Sequence, residues 1–316
     1  MQRLGKENHS SVSEFILLGF SSESQVRMAL FTFFLLFYLI TLLGNGLITT
    51  LIYLDSCFHI PMYFFLSILS LVDMSYVTTT VPQMLVNMVY PRRTISWGTC
   101  VAQMFTFLVL GIAKCVLYAI MVYDRYVAIC FPLHYTLLMS RSICIKMVIV
   151  CWSISIVGAL VYTDFTMHLP YCGPHKINHF FCEVPAVLKL ACADTSFNDQ
   201  LDFILGFILL LVPLSLILAS YLHIFASIFR IRSSQGRLES FSTCAVTHIT
   251  VVTMFYAPAM IMYMRPGSWY DPEQDKKLAL FYNVVSAFLN PIIYSLRNKD
   301  VKVAFLKVLG NRGTAQ

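Results

Sequence analysis

The stretch Met28–Tyr53, MALFTFFLLFYLITLLGNGLITTLIY, carries no charged side chain from end to end. A helix rising about 1.5 Å per residue needs roughly 20 residues to cross a hydrocarbon core of about 30 Å, and this segment is longer than that. It therefore reads as a membrane-spanning helix, because lipid offers backbone amides no partner except their own helix.

The pattern repeats along the chain. Of 316 residues, 58% are hydrophobic and 12% charged, with a mean hydropathy of +0.72; a soluble domain carries roughly 25% charged residues. Further apolar segments span Pro61–Met88, Thr99–Ile129, Ser142–Phe165, Leu201–Phe229, Phe241–Met264 and Lys277–Leu296. With the first they predict an all-α membrane protein, a seven-transmembrane helix bundle. No Pro/Gly/Ser-rich linker divides it, so residues 28–297 read as one domain, preceded by segment 1–27 and followed by 298–316. Pro213, Pro258 and Pro291 fall inside segments five, six and seven. Packed membrane helices tolerate such prolines as kinks, so each marks an expected bend.

Residues 1–27 are polar and lack an apolar run followed by a small-residue cleavage site, so the first helix is expected to act as its own insertion signal. Lys and Arg divide almost evenly between the two sides, and the positive-inside rule decides little. Two other signals put the N-terminus outside and the C-terminus in the cytoplasm. Asn8-His9-Ser10 is a glycosylation sequon, and Cys172, Cys182 and Cys192 share one long polar loop. With Cys100, at the outer start of the third segment, the loop cysteines form a set of four with three possible pairings. Cys57, Cys115, Cys130, Cys144, Cys151 and Cys244 lie in or near apolar segments or on the proposed cytoplasmic side and read as small buried hydrophobes.

A series of motifs runs from residue 14 to 298. Glu14-Phe15-Ile16-Leu17-Leu18-Gly19-Phe20 precedes the first segment, Gly44-Asn45 lies within it, and Pro61-Met62-Tyr63-Phe64-Phe65-Leu66-Ser67 opens the second. Met121-Val122-Tyr123-Asp124-Arg125-Tyr126-Val127-Ala128-Ile129-Cys130 closes the third, Ser220-Tyr221 lies late in the fifth, and Phe241-Ser242-Thr243-Cys244 opens the sixth. Asn290-Pro291-Ile292-Ile293-Tyr294-Ser295-Leu296-Arg297-Asn298 ends the seventh. In this order the motifs resemble the odorant-receptor branch of the rhodopsin-like (class A) G-protein-coupled receptors. The text His179-Phe180-Phe181-Cys182-Glu183 resembles the larger, tetrapod-type class II of that branch.

The resemblance implies pairing of Cys100 with Cys182 and of Cys172 with Cys192. It matches Asp73 to the inner acidic residue of the second helix, which helps a sodium ion stabilise the resting bundle. Lys114 departs from the family, many of whose members carry glutamate there. An ammonium at Lys114 is expected to take the sodium ion's place and pair with Asp73; the alternative is a lysine that snorkels or faces a watery cavity. By the same resemblance Arg125, within Asp124-Arg125-Tyr126, leaves its resting partner on activation to meet the G protein, with Tyr221 and Tyr294 rearranging nearby, beside Asn290 and Pro291. His248 reads as a gating hydrogen bond or packing rather than a metal ligand, since no second His or Cys on its segment has ligand spacing. Glu239 and Val246 stand where relatives usually have lysine and serine, and Ala287-Phe288 where they often have Pro-Met.

Alignment to the family turns Phe107, Leu108, Gly111 and Ile112 of the third helix toward a ligand cavity. The fifth adds Leu205, Gly206 and Leu209, the sixth Tyr256, Ala259 and Tyr263, and the seventh Leu280 and Asn283. Such a wall is mostly apolar with few hydrogen-bonding groups, as suits a small volatile molecule. Tyr256 and Tyr263 are the stronger candidates, since two phenols at different depths can orient one polar function. The implied function is an odorant receptor, not an enzyme, that activates a heterotrimeric G protein of the stimulatory olfactory type and raises cyclic AMP. Its partners are a small-molecule odorant, that G protein and the lipid bilayer, with no nucleic acid, cofactor or metal. Lys299 to Leu309 alternates basic and apolar residues as an amphipathic helix on the inner leaflet would, and no cysteine follows for palmitoylation. The same text fits a receptor for a non-odorant metabolite outside the nose. A transporter would show an internal repeat and an enzyme a convergent catalytic set, and neither stands in the sequence.

Overall fold

The computed structural model describes residues 13–20, 23–54, 60–90, 92–172, 175–229, 247–264, 269 and 271–297. Apolar content and helix geometry account for most of it. The first helix is Ser24–Leu54, the second Pro61–Val89, the third Trp97–Cys130 and the fourth Arg141–Met167. Each runs one to four residues beyond the apolar stretch that marks it in the sequence, because the backbone ladder continues to the next cap or loop. Ser96, for example, caps the third helix by accepting from the Thr99 amide at 3.2 Å.

The fifth helix begins at Ser196, ahead of its apolar stretch. It passes through Ser196–Gly206, a widened π turn at Phe207–Leu211, and Val212–Phe229. The π turn sits just before Pro213, which supplies no amide hydrogen to the turn behind it. The sixth helix is described over Thr247–Tyr263 and contains Pro258. The seventh runs through Pro272–Ala279, a second π turn at Leu280–Val285, and Ser286–Arg297 with Pro291 inside it. Pro82 also lies within the second helix, a proline the sequence reading did not mark as a bend.

The seven helices form one bundle, and side-chain burial gives its layout. In the third helix 67% of the apolar window is buried inside the protein, against 11% in the first, so the third is the central post and the first lies at the edge. Leu36, Leu43, Leu47, Val157, Leu160, Leu216 and Leu222 all face outward. Such a belt is stable only against lipid, which makes this a multi-pass membrane protein. The polar groups lie inside instead: Asn45, Asp73, Lys114, Asn283, Ser286 and Asn290 are buried.

One end of the bundle carries a small sheet. Strand β1, Glu14–Leu17, lies between β2, Thr94–Ser96, antiparallel with Phe15 opposite Ile95, and β3, Lys176–Ile177, parallel with Leu17 opposite Ile177. Alternation turns Phe15 and Leu17 inward, where both are fully buried with Ile95 and Ile177. Cys100 is bonded to Cys182 and Cys172 to Cys192, which fastens the loop between the fourth and fifth helices over the bundle. Asn8, Glu239, Val246 and the stretch Lys299 to Leu309 lie outside the described residues.

Candidate functional site

Beneath that loop, the second to seventh helices enclose a cavity of about 50 Å³. The third helix gives its wall Phe107, Leu108, Gly111, Ile112 and Cys115, the fifth Gly206, Leu209 and Leu210, and the sixth Phe255, Ala259 and Tyr263. Tyr76, Tyr162 and Tyr282 complete it from the second, fourth and seventh. A smaller cleft of about 20 Å³ lies outside, walled by Leu18, Phe20, Leu30, Met88 and Phe180 with Arg27 and Arg93. Its size, and its walls from the N-terminal segment, the loops and only the first two helices, leave the central cavity as the candidate site.

Of the residues aligned to a ligand wall, Leu205, Tyr256, Leu280 and Asn283 stand outside the cavity lining. Leu205 packs on the cluster under the sheet, and Leu280 on the main core. Asn283 donates to Thr80 Oγ1 at 2.7 Å. Tyr256 lies buried under the cavity, donating to the Cys115 carbonyl at 2.9 Å. The wall also includes Tyr76, Cys115, Tyr162, Leu210, Phe255 and Tyr282, which sequence reasoning did not place there; it read Cys115 only as a small buried hydrophobe. Helical spacing held a signal for two of them: Cys115 is one turn from Gly111, and Tyr76 is three residues from Asp73.

Aromatic contacts shape the upper wall. Phe107 stacks on Tyr76 at 4.6 Å between ring centroids and meets Phe181 of the loop at the same distance. The roof is held by Gln103, which accepts from the Cys182 amide at 2.9 Å while donating to the Thr79 carbonyl at 2.9 Å. Behind it lies Glu183, almost fully buried. Tyr263 donates to Glu183 Oε1 at 3.1 Å and Tyr282 donates to the same oxygen, while His179 Nε2 lies 3.1 Å from Oε2. Burial first, and then the Lys276 ammonium, push His179 down to about 3 against the backbone hydrogen bonds of Asp275 and Phe181, so the ring is neutral. Glu183 is the polar anchor of the roof, and the sequence signals it only as part of the loop motif.

Under the cavity floor lies a charged centre. Lys114 Nζ is 2.7 Å from Asp73 Oδ1, both side chains being fully buried, and donates to Ser286 Oγ at 2.8 Å. Its ammonium also sits 5.0 Å from the Phe255 ring centroid and 5.4 Å from that of Tyr76, both rings of the cavity wall. Asn290 donates to Asp73 Oδ2 at 2.5 Å and lies 3.1 Å from the Tyr118 hydroxyl. The charged centre thus joins the second, third and seventh helices directly below the ligand space.

At the far end of the third helix, Asp124 accepts from Tyr135 of the following short helix, Tyr135–Leu138, at 2.8 Å. Arg125 is half-buried, and its Nε has no hydrogen-bond partner among the described residues. The Tyr126 ring meets Phe131 at 5.6 Å and His223 of the fifth helix at 5.7 Å. Tyr221 is buried and stacks on Phe225. Pro291 packs against Gly44, and the side chains of His248 and Tyr294 lie outside the described residues.

Comparison with known proteins gives this architecture its family. The family pattern described as olfactory receptor matches residues 34–312. Human olfactory receptor 2A12 is 49% identical over 96% of this chain and 98% of its own length. Human olfactory receptor 2A1/2A42 is likewise 49% identical over 96% of this chain and 98% of its own. Mouse olfactory receptor 2A7 is 47% identical over 96% and 97%. A seven-helix membrane bundle and full-length identity of this order lead to one conclusion: the chain belongs to the olfactory receptor family of rhodopsin-like G-protein-coupled receptors.

Proposed function

We propose that this receptor takes a small, mostly apolar odorant into the cavity beneath Glu183 and, once occupied, activates a stimulatory olfactory-type G protein that raises cyclic AMP. The observation that carries the reading is adjacency. Tyr76 and Phe255 face the ligand space on one side and flank the Lys114 ammonium on the other. A ligand that moves either ring therefore acts on the contact among the second, third and seventh helices. The resting state is biased by those contacts, and an odorant shifts the population only by binding the rearranged bundle more tightly.

In this reading the sheet and both disulfides face the oxidising exterior, the N-terminus is outside, and Asp124, Arg125 and Tyr126 face the G protein. The test is a panel of volatiles applied to cells that carry the receptor, with and without the stimulatory olfactory-type α-subunit. Ligand-driven cyclic AMP that depends on that subunit is the expected result. A surface-expressed receptor that answers no volatile, or answers without the subunit, would overturn the reading.

A further inference from the structure

The hydroxyls of the cavity wall have a direction. Tyr162 donates its proton to the carbonyl of Asp202 at 3.0 Å, away from the ligand space. Tyr263 and Tyr282 both donate to Oε1 of Glu183 in the roof. A phenol has one proton to give and two lone pairs with which to accept. Once its proton is committed to a buried carbonyl or carboxylate, it offers an incoming molecule lone pairs alone. The Tyr162 oxygen stands at the wall by Gly206, 3.7 Å from where a Cβ there would lie, next to the Tyr263 backbone carbonyl oxygen at 3.2 Å. Cys115 adds a thiol, a weak donor, and Tyr76 turns its oxygen toward Gly111, 3.3 Å from where a Cβ there would lie.

We propose that the cavity selects ligands that donate a hydrogen bond, alcohols and phenols, over carbonyl compounds and ethers of the same carbon skeleton, because Tyr162, Tyr263 and Tyr282 already give their protons to Asp202 and Glu183. The inference rests on the odorant reading above and names the chemical class that reading leaves open. An alcohol hydroxyl finds an acceptor at any of the three oxygens. A ketone or ether brings only lone pairs to those three oxygens and has the Tyr76 hydroxyl and the weak Cys115 thiol as its donors, whereas an alcohol can accept from the same two groups and donate as well. To bind as well, it would have to pull a phenol off Glu183 and leave an oxygen of a buried carboxyl group short of a donor. Apolar contacts are shared by both members of such a pair, so the hydroxyl alone sets their ratio.

The test uses the full-length receptor in cells, with cyclic AMP as the readout and matched pairs as ligands: cyclopentanol against cyclopentanone, sec-butanol against butanone, and para-cresol against its methyl ether. The hydroxyl member is expected to reach half-maximal response at a concentration about tenfold lower or better, the usual scale for an unpaired polar group. Glu183→Leu releases the Tyr263 and Tyr282 protons and is expected to reverse the order in favour of the ketones. Where that variant does not reach the surface, Tyr263→Phe carries the test: it removes an acceptor, so the advantage of each alcohol over its ketone is expected to shrink, and an unchanged ratio would count against the inference. Ketones equal to or more potent than their alcohols in the unmodified receptor would overturn this inference and leave the odorant reading standing. Silence of a surface-expressed receptor toward every pair and every other volatile would remove the odorant reading, and this inference with it.

Discussion

Lys114 and Asp73 form a contact that neither residue could make alone at low cost. A buried carboxylate or ammonium without a partner is strongly destabilising, and here each is the other's partner at 2.7 Å. Ser286 and Asn290 take up further hydrogen-bonding capacity, and we propose that the ammonium fills the place where a mobile cation would otherwise neutralise Asp73. Odorant responses of the unmodified receptor are therefore expected to be the same in sodium and in an organic-cation buffer. Lys114→Glu is expected to gain a response that falls as sodium rises, because two carboxylates then face one space. A strong sodium effect in the unmodified receptor, with none gained in the variant, would refute the pairing. This contact was legible in the sequence because a charge inside an apolar run is costly unless paired, and the family resemblance set Asp73 at a cation site that the Lys114 ammonium could fill. The Glu183 roof was not legible in the same way: it sits in a polar loop, where a carboxylate needs no partner until the fold buries it. Tyr282 escaped for a related reason, since nothing in the local pattern shows that it turns to that loop.

Among the elements, the seventh helix depends on the first. Pro291 has no amide hydrogen, so the Ala287 carbonyl four residues back loses its helical donor. Asn45 Nδ2 supplies one at 3.2 Å across the helix interface, while also donating to the Thr41 carbonyl at 2.9 Å. Gly44 permits the approach, since a Cβ there would stand 3.1 Å from Pro291 Cγ. At Gly46, two residues on, a Cβ would meet nothing within 4 Å. Alanine relieves a mid-helix glycine by about 0.5–1 kcal/mol where space allows. Gly46→Ala is therefore expected to raise the melting temperature of the detergent-solubilised receptor and Gly44→Ala to lower it. Asn45→Leu leaves the Ala287 carbonyl unpaired, at a cost of about 1–3 kcal/mol. Equal shifts for the two glycines would show that the first and seventh helices are not in close contact there. The apolar runs placed the helices from sequence because hydropathy and length dictate them. The π turns at Phe207–Leu211 and Leu280–Val285 were beyond it, as they answer to packing and to an absent amide rather than to composition. The fifth helix started early for a similar reason, its first turns being polar and held by packing on the loop and neighbouring helices.

Across the whole molecule the third helix is the connecting rod. Cys100 ties it to the loop, Gly111 opens it to the cavity, Lys114 binds it to the second and seventh helices, and Asp124 meets Tyr135 at the other end. Lys114 to Asp124 covers ten residues, about 15 Å of helix, so a rigid rod can carry a small rotation from the cavity to the Asp124 end, the proposed G-protein face. The cap above the rod is held by two disulfides in different settings. Cys100 and Cys182 are fully buried, whereas Cys172 and Cys192 are exposed. A reductant must reach the sulfur it attacks, so access sets the order of opening. A membrane-impermeant phosphine applied to intact cells is expected to open Cys172–Cys192 first, read by a maleimide mass tag on the recovered receptor, with a modest loss of odorant potency. Cys100–Cys182 should open only later, and with it the response should vanish, because the roof over the cavity is then no longer tied to the rod. Simultaneous opening would mean the inner bond is not sheltered. Protection of both bonds in intact cells, with reduction only after permeabilisation, would place the cap in the cytoplasm and reverse the proposed orientation.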